Sequence, residues 1–146
     1  TRILCDIACP EIASAVPALL RRMAAAPVHK WDLPWAFAKI GPAASEAVPA
    51  LRKLLDDEDF GVRHLAALAL HRIKPGRWLA EALIDREKRE SGSLDTEALG
   101  EMGSLAKDAV PWLIKLMRHE RPGVGRAAAA ALLKIDPATA RRVGAW

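Results

Sequence analysis

Between Val48 and Ile73 the apolar positions fall into two runs with helical spacing. Val48, Leu51, Leu54 and Leu55 form the first, recurring every three to four residues and so lying on one stripe of a helix. Asp56, Asp57, Glu58, Asp59 and Gly61 then break the pattern with short polar residues that favour caps and turns over helix interiors. Val62, Leu65, Ala66, Ala69, Leu70 and Ile73 form a second stripe, and Pro75 and Gly76 stop it. The pattern predicts two antiparallel helices, each apolar on one side. Small residues on their flanks, Ala47, Ala66 and Ala69, let a neighbouring pair approach to the usual ~8–10 Å between helix axes.

The same pattern recurs along the chain. Ala-Val-Pro occurs at Ala15–Pro17, Ala47–Pro49 and Ala109–Pro111, and the second interval is close to twice the first, so a degenerate copy is expected between the last two. The expected second-helix ends, Ile40, Ile73, Met102 and Ile135, fall at nearly even intervals, and a glycine or proline follows closely after each. Four units fit, at about 11–40, 44–73, 77–102 and 106–135. Each proline stands three residues after Ser14, Glu46 or Asp108. In the first turn its missing N–H costs little, so it marks a helix start, with Ser14 and Asp108 as expected N-caps. Asp32 is expected to cap a shortened second helix in unit one, placing Pro34 in its first turn.

The stretch IGPAASEAVPALRKLLDDEDFGVRHLAALALHRI closely resembles the HEAT-like repeats common in bacteria and archaea. The resemblance runs through nearly the whole chain, most fully in the second unit and least in the third. It implies an all-α fold, an α-solenoid of about four HEAT-like antiparallel helix pairs wound as a right-handed α-α superhelix. Residues 1–146 are then one repeat domain, with partial units at both ends. In that family a Val-Arg pair opens the second helix, as Val62 and Arg63 do here, and the arginine often pairs with an acidic residue of the turn. Lys30, Gly92 and Gly125 stand in that slot elsewhere, so no continuous ladder of such pairs is expected. Unit three has a charged helix end, Arg86 to Ser93, and an expected loose connection at Gly92.

Composition changes the picture in two respects. Alanine is abundant, while aromatics amount to five Trp, two Phe and no Tyr, which suits closely approaching helices better than a core of large side chains. No apolar run approaches the ~20 residues of a membrane-spanning helix, and Arg2 and Asp6 interrupt any signal-peptide core, so a cytoplasmic setting without membrane contact is the default. Ile3, Leu4 and Ile7 resemble the end of a preceding unit, and Pro137 to Trp146 the opening of a following one, so the chain reads as a piece of a longer protein.

Candidate chemistry is sparse. Cys5 and Cys9, four apart, could seed a metal site but lack two further ligands nearby, so they read as reduced packing thiols. Of His29, His64, His71 and His119, only His64 and His71 share a helix, and a solvated surface pair is the ordinary reading. The acidic run Asp56–Asp59 is explained by helix ends and a turn. No phosphate loop, HExxH or nucleophile motif occurs, so no catalytic residue, metal or cofactor is expected.

The net charge of +4 invites a nucleic-acid reading. The excess is evenly spread: residues 1–75 carry ten basic and eight acidic side chains, and residues 76–146 carry twelve and ten. A more specific signal appears when the units are overlaid. At the second-helix positions that line the concave face in the fold implied by the resemblance stand Trp35, Leu68, Glu97 and Ala130. One turn earlier are Trp31, His64, Ser93 and Arg126, and one turn later Lys39, Arg72, Glu101 and Lys134. Exposed Trp is a common binding anchor, because it desolvates a large area while keeping an N–H donor. Covering the open end of the stack is the competing role for Trp31 and Trp35. The expected function is a non-catalytic protein-interaction or scaffold module that takes an acidic protein or peptide segment with an apolar anchor. A nucleic-acid-binding HEAT-like domain and a subunit of a phycobilin-lyase-like enzyme, implied by the same resemblance, are the alternatives.

Overall fold

The computed structural model describes residues 14–25, 31–90 and 94–145, and among these residues the chain is all-helical, with no strand. Its contacts divide it into two compact units, Thr1–Pro75 and Gly76–Trp146. The sequence features assigned to Cys5, Cys9, His29, Lys30, Gly92 and Ser93 lie outside the described residues.

The first unit contains α1 (Val16–Ala25), α2 (Asp32–Ile40), a 3-10 segment η1 (Gly41–Ala47), α3 (Val48–Leu54) and α4 (Phe60–Ile73). The second contains α5 (Arg77–Arg89), α6 (Thr96–Met102), a 3-10 segment η2 (Gly103–Ala109), α7 (Val110–Met117), α8 (Pro122–Ile135) and α9 (Pro137–Val143). Helices α2, α4, α6 and α8 end at the four residues the repeat spacing picks out. Each Ala-Val-Pro opens a helix at its Val, with proline in the first turn, where its missing N–H costs least.

The two units pack alike. In the first, α3 folds back on α4, α2 lies along α4, and α1 meets η1. In the second, α7 folds back on α8, α6 lies along α8, and α5 meets η2. One constant shift along the chain, the step from Val48 to Val110, relates every one of these correspondences. Leu51 and Leu70 in one unit, and Leu113 and Leu132 in the other, are fully buried. So are Ala44, Ala47 and Ala66, matched by Ala106, Ala109 and Ala128. Alanines at the contacts bring backbones close, and the leucines fill the space that remains.

The 3-10 segments explain where local sequence reasoning goes astray. Gly41 and Gly103 have φ of 71° and 57° with ψ of −142° and −134°, a region that a side chain disfavours, and they turn the chain out of α2 and α6. A kink at Ala44 or Ala106 then redirects it into α3 or α7. Because each segment runs straight into the following helix, its carbonyls are there to serve the first-turn amides, and neither α3 nor α7 has a side-chain cap. Asp108 is therefore not the N-cap expected of it. Its carboxylate instead accepts both hydrogen bonds from Arg77 Nη2, at 2.8 and 3.1 Å, tying the start of α5 to η2 and holding the guanidinium pKa above its ordinary value. Asp32 likewise is the first helical residue of α2 and not its cap, because Trp31 before it already has helical dihedrals. Pro34 still falls in the first turn.

The acidic turn behaves as its composition dictates. Asp59 caps α4 by accepting from the Gly61 amide at 2.8 Å, and Asp57 accepts from the Asp59 amide at 3.1 Å. Arg63 donates to the carbonyls of Asp57 and Glu58, both at 2.8 Å, so the arginine closes the turn through its backbone. At the equivalent Gly125, a Cβ would stand 2.9 Å from the Met117 carbonyl, so α8 approaches α7 where α4 keeps its arginine. Asp95 and Asp136 cap α6 and α9, accepting from the Ala98 and Thr139 amides. Hydrogen bonds from the Thr139 hydroxyl and amide hold the Asp136 carboxyl below its usual range.

Candidate functional site

The first unit presents a two-helix face made by α2 and α4. Trp35, Ala38 and Lys39 from α2, with Leu65, Leu68 and Arg72 from α4, line one cleft of about 110 Å³. The spacing of four between Trp35 and Lys39, and of four between Leu68 and Arg72, stacks each pair on one side of its helix. Trp35 is 54% exposed, and the Lys39 ammonium lies 3.9 Å from the centre of its ring, a cation–π contact at the mouth of the cleft. Among the described residues, neither Lys39 nor Arg72 has a carboxylate partner.

One turn towards the N-terminal ends lies a set of aromatic residues. Trp31 is 49% exposed, and its ring lies against the first turn of α4 at Gly61, where a Cβ would collide with it. Phe60, 51% exposed, stacks on His64 with ring centres 6.1 Å apart and planes 11° apart, and the Arg63 guanidinium sits 5.4 Å from the Phe60 ring centre. His64 and His71 are half-buried, so the solvated pair expected from spacing alone is not what forms. Trp35, Lys39 and Arg72 thus border the cleft, while Trp31, Phe60 and Arg63 gather at the start of α4.

Sequence overlay places Trp31, Trp35, Lys39, His64, Leu68 and Arg72 on this face, and the structure puts four of them in one cleft. It misses Phe60, the one apolar side chain closing an otherwise polar turn, and it assigns Leu65 to the core although that residue walls the cleft. The other four candidates, Glu97, Glu101, Arg126 and Lys134, are exposed on α6 and α8 in the second compact unit. There the chemistry is different. Lys134 Nζ donates to Glu101 Oε1 at 3.1 Å, and the Lys134 stem passes over Gly100, the counterpart of Ala38.

Four larger clefts occur among the described residues. One of about 640 Å³ in the second unit is lined by Leu94, Leu116, Val124 and Ala127, with Thr96, His119, Glu120 and Arg121 as its polar groups. One of about 580 Å³ between α1 and α3 is lined by Leu20, Met23, Ala24, Pro49, Ala50 and Leu54, with Glu46 and Lys53 at its edge, and converges no set of polar groups. Among the described residues no group of three metal-ligating side chains occurs, and no helix is long and apolar enough to cross a membrane.

No family model, curated protein or solved structure matches this chain. The functional reading therefore rests on the α2–α4 face itself.

Proposed function

We propose that the chain is a HEAT-like α-solenoid segment acting as a non-catalytic interaction module, whose α2–α4 face takes an acidic protein or peptide segment with an apolar anchor. The observation that carries the reading is the open cleft between Trp35 and Leu68, edged by two cations that have no carboxylate partner among the described residues. Recurrence of second helices packed on second helices supports the repeat architecture. Exposed aromatics supply apolar area at low entropic cost, and the lysine and arginine supply attraction and orientation for an acidic partner.

The test is selection of acidic peptides from a random library on the intact chain, followed by affinity measurement on variants. Trp35→Ala should weaken the selected peptides by ~2 kcal/mol or more while leaving thermal stability nearly unchanged. Lys39→Glu should act mainly through association rate and its salt dependence. Selected peptides that bind Trp35→Ala as tightly as the parent would remove the face from the function.

A further inference from the structure

Resting on that reading, we propose that the cleft of α2 and α4 recognises the C-terminal residue of its partner, an aliphatic residue whose free α-carboxylate lies between Lys39 and Arg72. The second unit supplies the internal precedent. At the equivalent positions there, Glu101 and Lys134 reach across from α6 to α8 and meet at 3.1 Å. The same helix positions in the first unit hold two cations, so the pair of stems that brings a carboxylate to an ammonium in one unit brings two positive groups to the cleft in the other. A carboxylate supplied by a partner takes the place that the Glu101 side chain fills for Lys134. Arg72 offers a fork of donors to it and Lys39 a compact charge.

The apolar wall fixes what is attached to that carboxylate. The cleft is small, about 110 Å³, and its wall of leucines suits a branched aliphatic side chain. Its cations and its apolar wall, Leu65 and Leu68 opposite Trp35, border the same small space. Within the acidic partner already proposed, a terminal residue serves both more compactly than an acidic side chain inside an extended segment. Adjacent residues point to opposite faces, and the next residue on the same face is ~6.5 Å further along. A C-terminal leucine, isoleucine or valine carries carboxylate and side chain on a single Cα. Capture of a chain terminus is also one of the general modes of peptide recognition. At the corresponding second-unit positions, Glu97 replaces Trp35 and Ala127 and Ala130 replace the two leucines, so the apolar wall is absent where the internal carboxylate is present.

The experiment uses two synthetic decapeptide pools, random at nine positions and ending in leucine, one as the free acid and one as the C-terminal amide. Retention on the immobilised intact chain is read by mass spectrometry. The free-acid pool should be retained roughly tenfold better or more, the effect of one charge-assisted contact. Lys39→Glu and Arg72→Glu should abolish the preference, and Lys39→Arg should keep it, with circular dichroism confirming that each variant is folded. Equal retention of both pools by the parent, with loss of both in Trp35→Ala, would overturn the terminal-carboxylate assignment and leave the α2–α4 partner face standing. Retention of neither pool, or equal retention of both by parent and Trp35→Ala, would overturn the assignment and the face together. A free-acid preference that survives both charge reversals would place the carboxylate elsewhere.

Discussion

The α2–α4 and α6–α8 faces are the same arrangement built twice along the chain, and they differ in what their outer side chains do for one another. In the first unit Trp35, Leu68, Lys39 and Arg72 leave an apolar cleft with two cations facing it. In the second, Glu97, Ala130, Glu101 and Lys134 leave small side chains and an internal ion pair. The buried side of both is nearly interchangeable, with leucine and alanine at matched positions. Packing constrains the inside to one solution, because close-packed interiors tolerate little change of volume. The outside is free to diverge. The face whose charges are not paired within the unit is the one we propose for a partner.

The largest effects should show no difference between units. Leu51→Ala and Leu70→Ala in the first, and Leu113→Ala and Leu132→Ala in the second, should each cost ~2–5 kcal/mol in chemical denaturation, since all four side chains are fully buried. If the first-unit pair is costly and the second-unit pair is tolerated, the two units do not share a packing plan. Next in size, Gly41→Ala and Gly103→Ala should each cost roughly 1–3 kcal/mol. A Cβ meets nothing within 4 Å at either site, so the cost is backbone strain alone and should be alike in both. Neutral substitution at either glycine would mean that the turn leaving that helix is not as described.

The surface changes should be smaller and opposite in sign. Glu101→Lys recreates in the second unit the two cations of the first and should cost ~0.2–1 kcal/mol, less at high salt, because the Lys134 and Glu101 side chains are 56% and 53% exposed. Lys39→Glu recreates the ion pair in the first unit and should leave stability unchanged or raise it by a few tenths of a kcal/mol. A destabilising Lys39→Glu would show that Lys39 is held by the Trp35 ring and by the end of its own helix, where cations are favoured, more than it is repelled by Arg72. Smallest of all is a difference at the ends of the second helices. Asp136 caps α9, whereas its counterpart after α4 is Lys74. The folded carboxyl is held below its unfolded value, so its contribution is present above the ordinary carboxylate range and is lost as pH falls through the lowered value. Asp136→Asn should flatten the fall of the urea midpoint below about pH 4 slightly. An unchanged acid profile would mean that the Thr139 hydrogen bonds do not act on the charge.

Much of this was legible in the sequence because it is written locally. Helix ends carry glycine, proline or short polar residues, and Ile40, Ile73, Met102 and Ile135 stand just before them. Overlaying the units finds the face because side chains four apart on a helix share a side whatever the fold around them. What stayed hidden depends on distant or irregular structure. Asp108 reads as a cap from its neighbours, yet its partner is the distant Arg77. The segments GPAASEA and GSLAKDA read as helix starts, since neither the 3-10 hydrogen bonding nor the kink at Ala44 and Ala106 has a residue signature beyond the preceding glycine. Phe60 escapes the overlay because its counterpart in the second unit is Pro122. It stands next to Gly61, on which the Trp31 ring rests, a contact between distant residues that local spacing does not carry.

The most direct test of the central claim, that the first unit's face is open to a ligand and the second's is closed by its own ion pair, is an NMR titration of the intact chain with N-acetyl-leucine. Both faces are then read in one sample, without a partner having to be known. Concentration-dependent shifts are expected at the Trp35 indole N–H, Lys39, Leu68 and Arg72, while Glu97, Glu101, Ala130 and Lys134 stay still. Shifts of equal size on both faces, or on α6 and α8 alone, would contradict it.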